Sequence, residues 1–170
     1  MKGVAGIIFD VDGVLLDSLG PHLQICKDKS LEYGLGLPIP NADDFRKMVR
    51  QGAKISPMKF FFEAVGFPSA SAERAAEQYN KTFVRDYAIK PFPHVGRMLG
   101  RVTSAGLPLG IVTSNVRANI ESALGRSMRF FRPDCIFTKD AADWDSKVDA
   151  LIAAAKRLNI DTAMMLYVGD

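Results

Sequence analysis

Four short runs along the chain are almost wholly apolar and end in polar or turn-forming residues: Val4–Phe9, Leu107–Val112, Cys135–Thr138 and Met164–Val168. Apolar residues at both odd and even positions leave no solvated face, so the runs read as buried strands of a parallel sheet. The later strands are separated by helical patterns over Val116–Leu124 and Lys147–Leu158, the second placing Leu151, Ala154, Ala155 and Leu158 on one face. Strand and helix in alternation predict an α/β fold, a doubly wound parallel sheet. Between the first two strands, from roughly Ser18 to Phe92, lies a stretch far longer than an ordinary crossover. Its pattern is helical, with breaks at Gly34–Pro40, Gly52, Gly66–Ser71 and Pro91–Pro93, which predicts an inserted helical cap. The expected domains are an α/β core over 1–17 and 92–170 and a helical cap over 18–91.

Composition narrows the function classes. A length of 170 residues suits one medium domain with such an insert, and the net charge of +3 is mild, with basic and acidic residues mostly interleaved. Neither a nucleic-acid footprint nor a membrane surface is written across the chain. The first apolar run is ended by Asp10, too soon for a signal peptide or a membrane span. Cys26 and Cys135 stand far apart without CxxC neighbours, so reduced thiols of a cytoplasmic protein are expected, not a disulfide framework or a zinc site. No GxGxxG or GxxxxGK[ST] motif marks a nucleotide-binding module.

Ligands of open α/β sheets bind beyond the carboxyl ends of the strands, so the residues just past each run are the chemical candidates. The first run is followed by Asp10-Val11-Asp12-Gly13, two carboxylates spaced i, i+2 that can point to one side of an extended backbone. Such neighbours repel unless a cation or a proton lies between them. Mg²⁺ could hold one as an ionised nucleophile, leaving the other, protonated, to serve as an acid. Thr113-Ser114-Asn115 follows the second run and opens a helix, offering hydroxyls, an amide and free backbone N–H groups as a phosphate seat. Lys147 lies in the first turn of its helix behind the N-cap candidate Ser146, where the macrodipole disfavours a cation and an anion nearby is implied. The fourth run ends Gly169-Asp170, another carboxylate placed for a hard cation.

These blocks, IIFDVDGVLLDS, IVTSN, DSKVDALIAAAKRLNI and LYVGD, resemble in order the four motifs of the haloacid dehalogenase superfamily. The likeness is to its phosphoglycolate phosphatase and β-phosphoglucomutase-like members with a helical cap. The resemblance implies a Rossmann-like core and a phosphatase hydrolysing a small phosphorylated metabolite through an aspartyl-phosphate. It implies Asp10 as nucleophile and Mg²⁺ ligand, and Asp12 as general acid/base whose backbone carbonyl meets the metal. Thr113, Ser114 and Asn115 would bind phosphate, Lys147 would neutralise charge, and Asp170 would complete the Mg²⁺ site. The third block lacks the KPxP form common in such members, so Lys139 is a second candidate for the motif lysine. The fourth motif normally continues with a second acidic residue and a further strand, so this stretch is expected to belong to a longer protein. A phosphosugar mutase and a non-catalytic binder of phosphorylated ligands are the alternative functions.

The cap carries no motif that names a substrate. Its run from Phe45 to Phe62 holds Arg46, Lys47, Arg50, Lys54 and Lys59 without an acid. Such a run is usually a solvated helix face, and the sharper expectation is that Arg50 and Lys54 read an anionic group on the substrate. His22 and Phe60–Phe62 read as cap packing, and Asp17-Ser18 as the hinge and N-cap of the first cap helix. A monomer or homodimer is expected.

Overall fold

A computed structural model describes residues 3–86, 89–141 and 146–169 of the chain. Four strands, β1 (Gly6–Phe9), β2 (Leu109–Val112), β3 (Ile136–Phe137) and β4 (Met165–Val168), pair in parallel in the order β3-β2-β1-β4. Helices α1 (Leu19–Glu32), α2 (Ala42–Arg50), α3 (Met58–Ala64) and α4 (Ser69–Asp86) lie between the first two strands. Helices α5 (Val95–Ser104), α6 (Arg117–Leu124) and α7 (Lys147–Leu158) alternate with the rest. This is the α/β parallel architecture that the pattern predicts.

Each strand is shorter than its apolar run, for local reasons. Pro108 has no N–H to give to a ladder, so β2 starts one residue later while the Pro108 carbonyl still accepts from Ile7 N–H at 3.0 Å. Cys135 and Met164 are taken up by 3₁₀ turns, Pro133–Cys135 and Thr162–Met164; Asp161 caps the second by accepting from Ala163 N–H at 2.9 Å. β1 lies inside the sheet, and all four of its residues are buried. β4 departs from the expectation of burial on both faces. It is an edge strand among the described residues, and Leu166 is 43% exposed.

The sheet is held to α7 by a cluster of Ile8, Val112, Cys135, Ala150, Ala154 and Leu158, with Leu151, Phe137 and Tyr167 packed against it. Small alanines on the inner face let the helix approach closely, and each large side chain removed from water contributes about 1.5–3 kcal/mol. Ser146 caps α7 by accepting from Asp149 N–H at 3.2 Å, while Asn159 closes it in the left-handed conformation, φ 58°. The axis of α7 is therefore fixed at both ends and along its face.

Contacts divide the chain into two compact units, Met1–Asp17 with Ile89–Asp170, and Ser18–Ala88. At the junction of the first unit, Asp17 N–H donates to Lys90 O at 2.9 Å. The second unit has an aromatic core: Phe45 stacks on Phe61 with centroids 4.5 Å apart, and Phe62 meets Phe67 edge-on at 5.0 Å. Phe61 and Phe62 are buried, as is His22, whose ring bonds the Tyr79 hydroxyl at 3.0 Å. Ser18 precedes α1, but its side chain makes no capping hydrogen bond and is buried. The cap of α2 is instead built by Asn41, which accepts from Asp43 and Asp44 N–H groups at 3.0 Å. Among the described residues, no helix is long and apolar enough to cross a membrane.

Candidate active site

The register pairs Phe9 with Ile111 on one side and with Val168 on the other. Residues just beyond all three strands therefore meet at one end of the sheet, and this is where Asp10, Thr113 and Gly169 fall. Side chains alternate along a strand, so Ile8 and Asp10 face the same way, and Tyr167, opposite Ile8, shares that face. The apolar face of α7 covers it, which brings Lys147, the first residue of the helix, over the strand end.

Asp10 is only 6% exposed, yet both its oxygens have partners. Oδ1 accepts from Val11 N–H at 2.7 Å. Oδ2 accepts from the Lys147 ammonium in a short ion pair and from the Tyr167 hydroxyl at 3.3 Å. The Lys147 ammonium also lies 5.4 Å from the centre of the Tyr167 ring. Burial works to lower the pKa of Lys147, but the bonds and charges of Asp10 and Tyr167 outweigh it, and the pKa ends above its ordinary value. Lys147 thus stays cationic. The Tyr167 phenol is pushed up chiefly by burial, partly opposed by its bond to Lys147. Lys139, the second candidate for the lysine role, is exposed, and its backbone N–H donates to Asn115 O at 3.0 Å.

Asp12 is tied to the next strand. Its Oδ2 accepts from Asn115 Nδ2 at 2.9 Å, a bond across the sheet between residues far apart in sequence. Asn115 is buried and heavily bonded: its Oδ1 accepts from Val116 N–H at 2.8 Å and from Asn119 Nδ2 at 2.9 Å, and its own N–H donates to Thr113 Oγ1 at 3.2 Å. The turn after Asp12 is made by Gly13 at φ 72°, a conformation that glycine adopts without strain. Asp12 Oδ1 is buried and has no hydrogen-bond donor. A carboxylate oxygen left in this state suits a site completed by a proton or a cation.

Ser114 is exposed at the same turn, and α6 begins at Arg117, two residues later than Asn115. Asp140 covers that helix start by accepting from Arg117 N–H at 3.0 Å. Among the described residues, no three His, Cys, Asp or Glu side chains gather as a metal cluster. Asp170, the third expected ligand, lies outside the described residues. Arg50 and Lys54 belong to the second unit, at the end of α2 and in the loop after it. Tyr167 and Asn119 are the participants that the sequence reading missed. In the sequence Tyr167 falls within an apolar strand run, where its phenol is the one polar tip. Neither cysteine competes as a nucleophile: burial pushes the Cys26 thiol up to about 12 and Cys135 up to about 11, so neither forms thiolate near neutrality.

A family model described as haloacid dehalogenase-like hydrolase matches residues 7–170. The chain belongs to that family. It is a hydrolase, and curated relatives similar to it are phosphatases. It is 28% identical to phosphoglycolate phosphatase of Escherichia coli (strain K12), with 99% of this chain and 75% of the relative covered. It is 30% identical to N-acetylmuramic acid 6-phosphate phosphatase of Pseudomonas putida, with 96% and 73% covered. Among solved structures, a haloacid dehalogenase-like hydrolase of Streptococcus pneumoniae superposes with a TM-score of 0.76 at 23% identity, covering 100% of this chain and 77% of that one. CbbY of Rhodobacter sphaeroides in complex with phosphate gives 0.61 at 18%, covering 96% and 76%. These two likenesses show the fold. Phosphatases of this family generally depend on a metal ion.

The Asn115 bonds make a stability prediction. Asn115→Ala strips an acceptor from Asn119 and Val116 and a donor from Asp12, and should cost about 1–3 kcal/mol in urea unfolding. A loss below about 0.5 kcal/mol would show that this network is not a structural tie.

Proposed function

We propose that the chain is a cytoplasmic phosphatase of small organic phosphate monoesters, with Asp10 as nucleophile and Asp12 as general acid and then base. The observation that carries this reading is the buried Asp10 carboxylate at the end of an interior strand, ion-paired to Lys147 at the start of α7. A buried anion is costly, and a site that holds one in place beside a cation is suited to attack on a phosphoryl group.

In the proposed sequence an Asp10 oxygen attacks phosphorus, the ester P–O bond breaks, and the leaving oxygen takes a proton from Asp12. Water then attacks the same phosphorus and gives a proton to Asp12 as the bond to Asp10 breaks. Inorganic phosphate leaves and both carboxyl groups return to their starting states. Thr113, Ser114 and Asn115 hold phosphoryl oxygens, and Lys147 offsets the charge shared by Asp10 and the phosphate. The Asp10 carboxylate, the Asp12 backbone carbonyl and Asp170 would hold Mg²⁺; the unpartnered Asp12 Oδ1 supports the fit of a cation or a proton there. When bound, Mg²⁺ would supply electrostatic neutralisation of the gathered negative charges. The unit Ser18–Ala88 is proposed as the cap that sets substrate choice.

Within that unit, Arg46 pairs with Asp43 at 2.8 Å, Lys47 with Asp44 at 2.9 Å and Lys59 with Glu73 at 2.5 Å. Arg50 and Lys54 are left without an acidic partner among the described residues; Lys54 lies 5.8 Å from the Phe60 ring centre. This supports them as contacts to a second anionic group on the substrate, in keeping with the acidic and sugar phosphates named for the relatives.

A panel of phosphorylated metabolites, assayed for phosphate release, tests the function. Activity should vanish in EDTA, return with Mg²⁺ and fall by about three orders of magnitude or more in Asp10→Asn. Turnover surviving that substitution would refute the nucleophile. In the same panel, Arg50→Ala with Lys54→Ala should raise KM about tenfold for esters bearing a carboxylate and little for neutral ones. An equal rise for both classes would remove the two residues from substrate recognition.

A further inference from the structure

Asp10 receives three hydrogen bonds, and the proposed chemistry explains only some of them. The Val11 N–H on Oδ1 is a consequence of the local backbone, and Lys147 supplies charge. The third donor, the Tyr167 hydroxyl at 3.3 Å from Oδ2, comes from the neighbouring strand. Its ring is the surface beneath the Lys147 ammonium, 5.4 Å from the centroid. The phenol folds back over the strand end because residue 169 is glycine: a methyl group built on Gly169 would overlap the Tyr167 ring and hydroxyl. One residue therefore touches both members of the ion pair, from a position that only a bare neighbour permits.

A carboxylate offers about four lone-pair directions, and the terminal torsion that aims them is soft. The three donors together set that torsion, and so decide where the remaining Oδ1 lone pair points. Resting on the nucleophilic role given to Asp10 above, we propose that Tyr167 is a positioning residue: its hydroxyl fixes the rotation of the Asp10 carboxylate, and its ring seats Lys147 against Oδ2. Tyr167 donates to the nucleophile and not to the substrate, so its hydroxyl acts on the rate of phosphoryl transfer and leaves phosphate binding alone.

Tyr167→Phe separates the two contacts, because it keeps the ring under Lys147 and removes only the hydroxyl. Steady-state assay should give a kcat lowered about tenfold with KM within about twofold, since a misaimed carboxylate reacts more slowly while no contact to the bound ester is removed. Tyr167→Leu, which also removes the ring, should add a KM increase of about fivefold as Lys147 loses its seat. A Tyr167→Phe kcat within about twofold of the parent, or a KM rise without a fall in kcat, would overturn the positioning role. Equal urea midpoints for parent and Tyr167→Phe show that the comparison is between folded proteins. Should the parent hydrolyse no ester, the phosphatase reading has failed, and positioning is read by calorimetry with Mg²⁺ present. Tyr167→Phe should then weaken beryllofluoride, which bonds to a carboxylate as a phosphoryl group does, about tenfold and leave inorganic phosphate unchanged. Equal affinities for beryllofluoride in the two proteins would overturn the role in that case too.

Discussion

A carboxylate withdrawn from water at the end of an interior strand is the constraint on which the rest of this molecule depends. Asp10 could not stay charged at 6% exposure without donors, because an uncompensated buried charge costs several kcal/mol. Its compensation comes from three separate parts of the chain: its own backbone neighbour, the first residue of α7 and the third residue of β4. Each of those is placed by apolar packing. Ala150, Ala154 and Leu158 hold α7 on the sheet, and the pairing of Ile8 with Tyr167 sets the height of the phenol. Lys147 is 40% exposed on its side chain, so water screens the pair and its net contribution to stability is modest. Its value lies in where it holds the charge.

The same economy governs Asp12. Its partner Asn115 stands at the end of β2, and through Asn119 and Val116 the bond is passed to the first turn of α6. Two helices, α6 and α7, and two strands, β2 and β4, thus converge on one pair of carboxyl groups. One oxygen, Asp12 Oδ1, is left buried without a donor. The protein tolerates that cost at a point where the proposed chemistry needs an oxygen able to take and give a proton.

Much of this was legible in the sequence. The four apolar runs became four parallel strands, and Lys147–Leu158 became a helix with the boundaries its pattern gives. A cation in a first helical turn implies a nearby anion, and for Lys147 that anion is Asp10. The rest depended on contacts that periodicity does not carry. Tyr167 counts as an apolar strand residue until strand pairing turns its hydroxyl toward Asp10. Ser18 takes the expected N-cap position of α1, but its side chain is buried and makes no capping hydrogen bond. The basic run looked unpaired because its acids, Asp43 and Asp44, lie just before it and Glu73 lies on another helix. Leu166 reads as core and is exposed because β4 has a neighbour on only one side among the described residues.

The central claim is that Asp10 itself becomes bonded to phosphorus. Quenching the enzyme during turnover and reducing it with borohydride converts an acyl phosphate, and not a free carboxylate, to the alcohol. Peptide mass spectrometry then reads which residue was converted. Homoserine in place of Asp10, appearing only when a substrate ester is present, is the result expected. Turnover that continues while position 10 stays aspartate, or a phosphoryl group trapped on another side chain, would contradict the account.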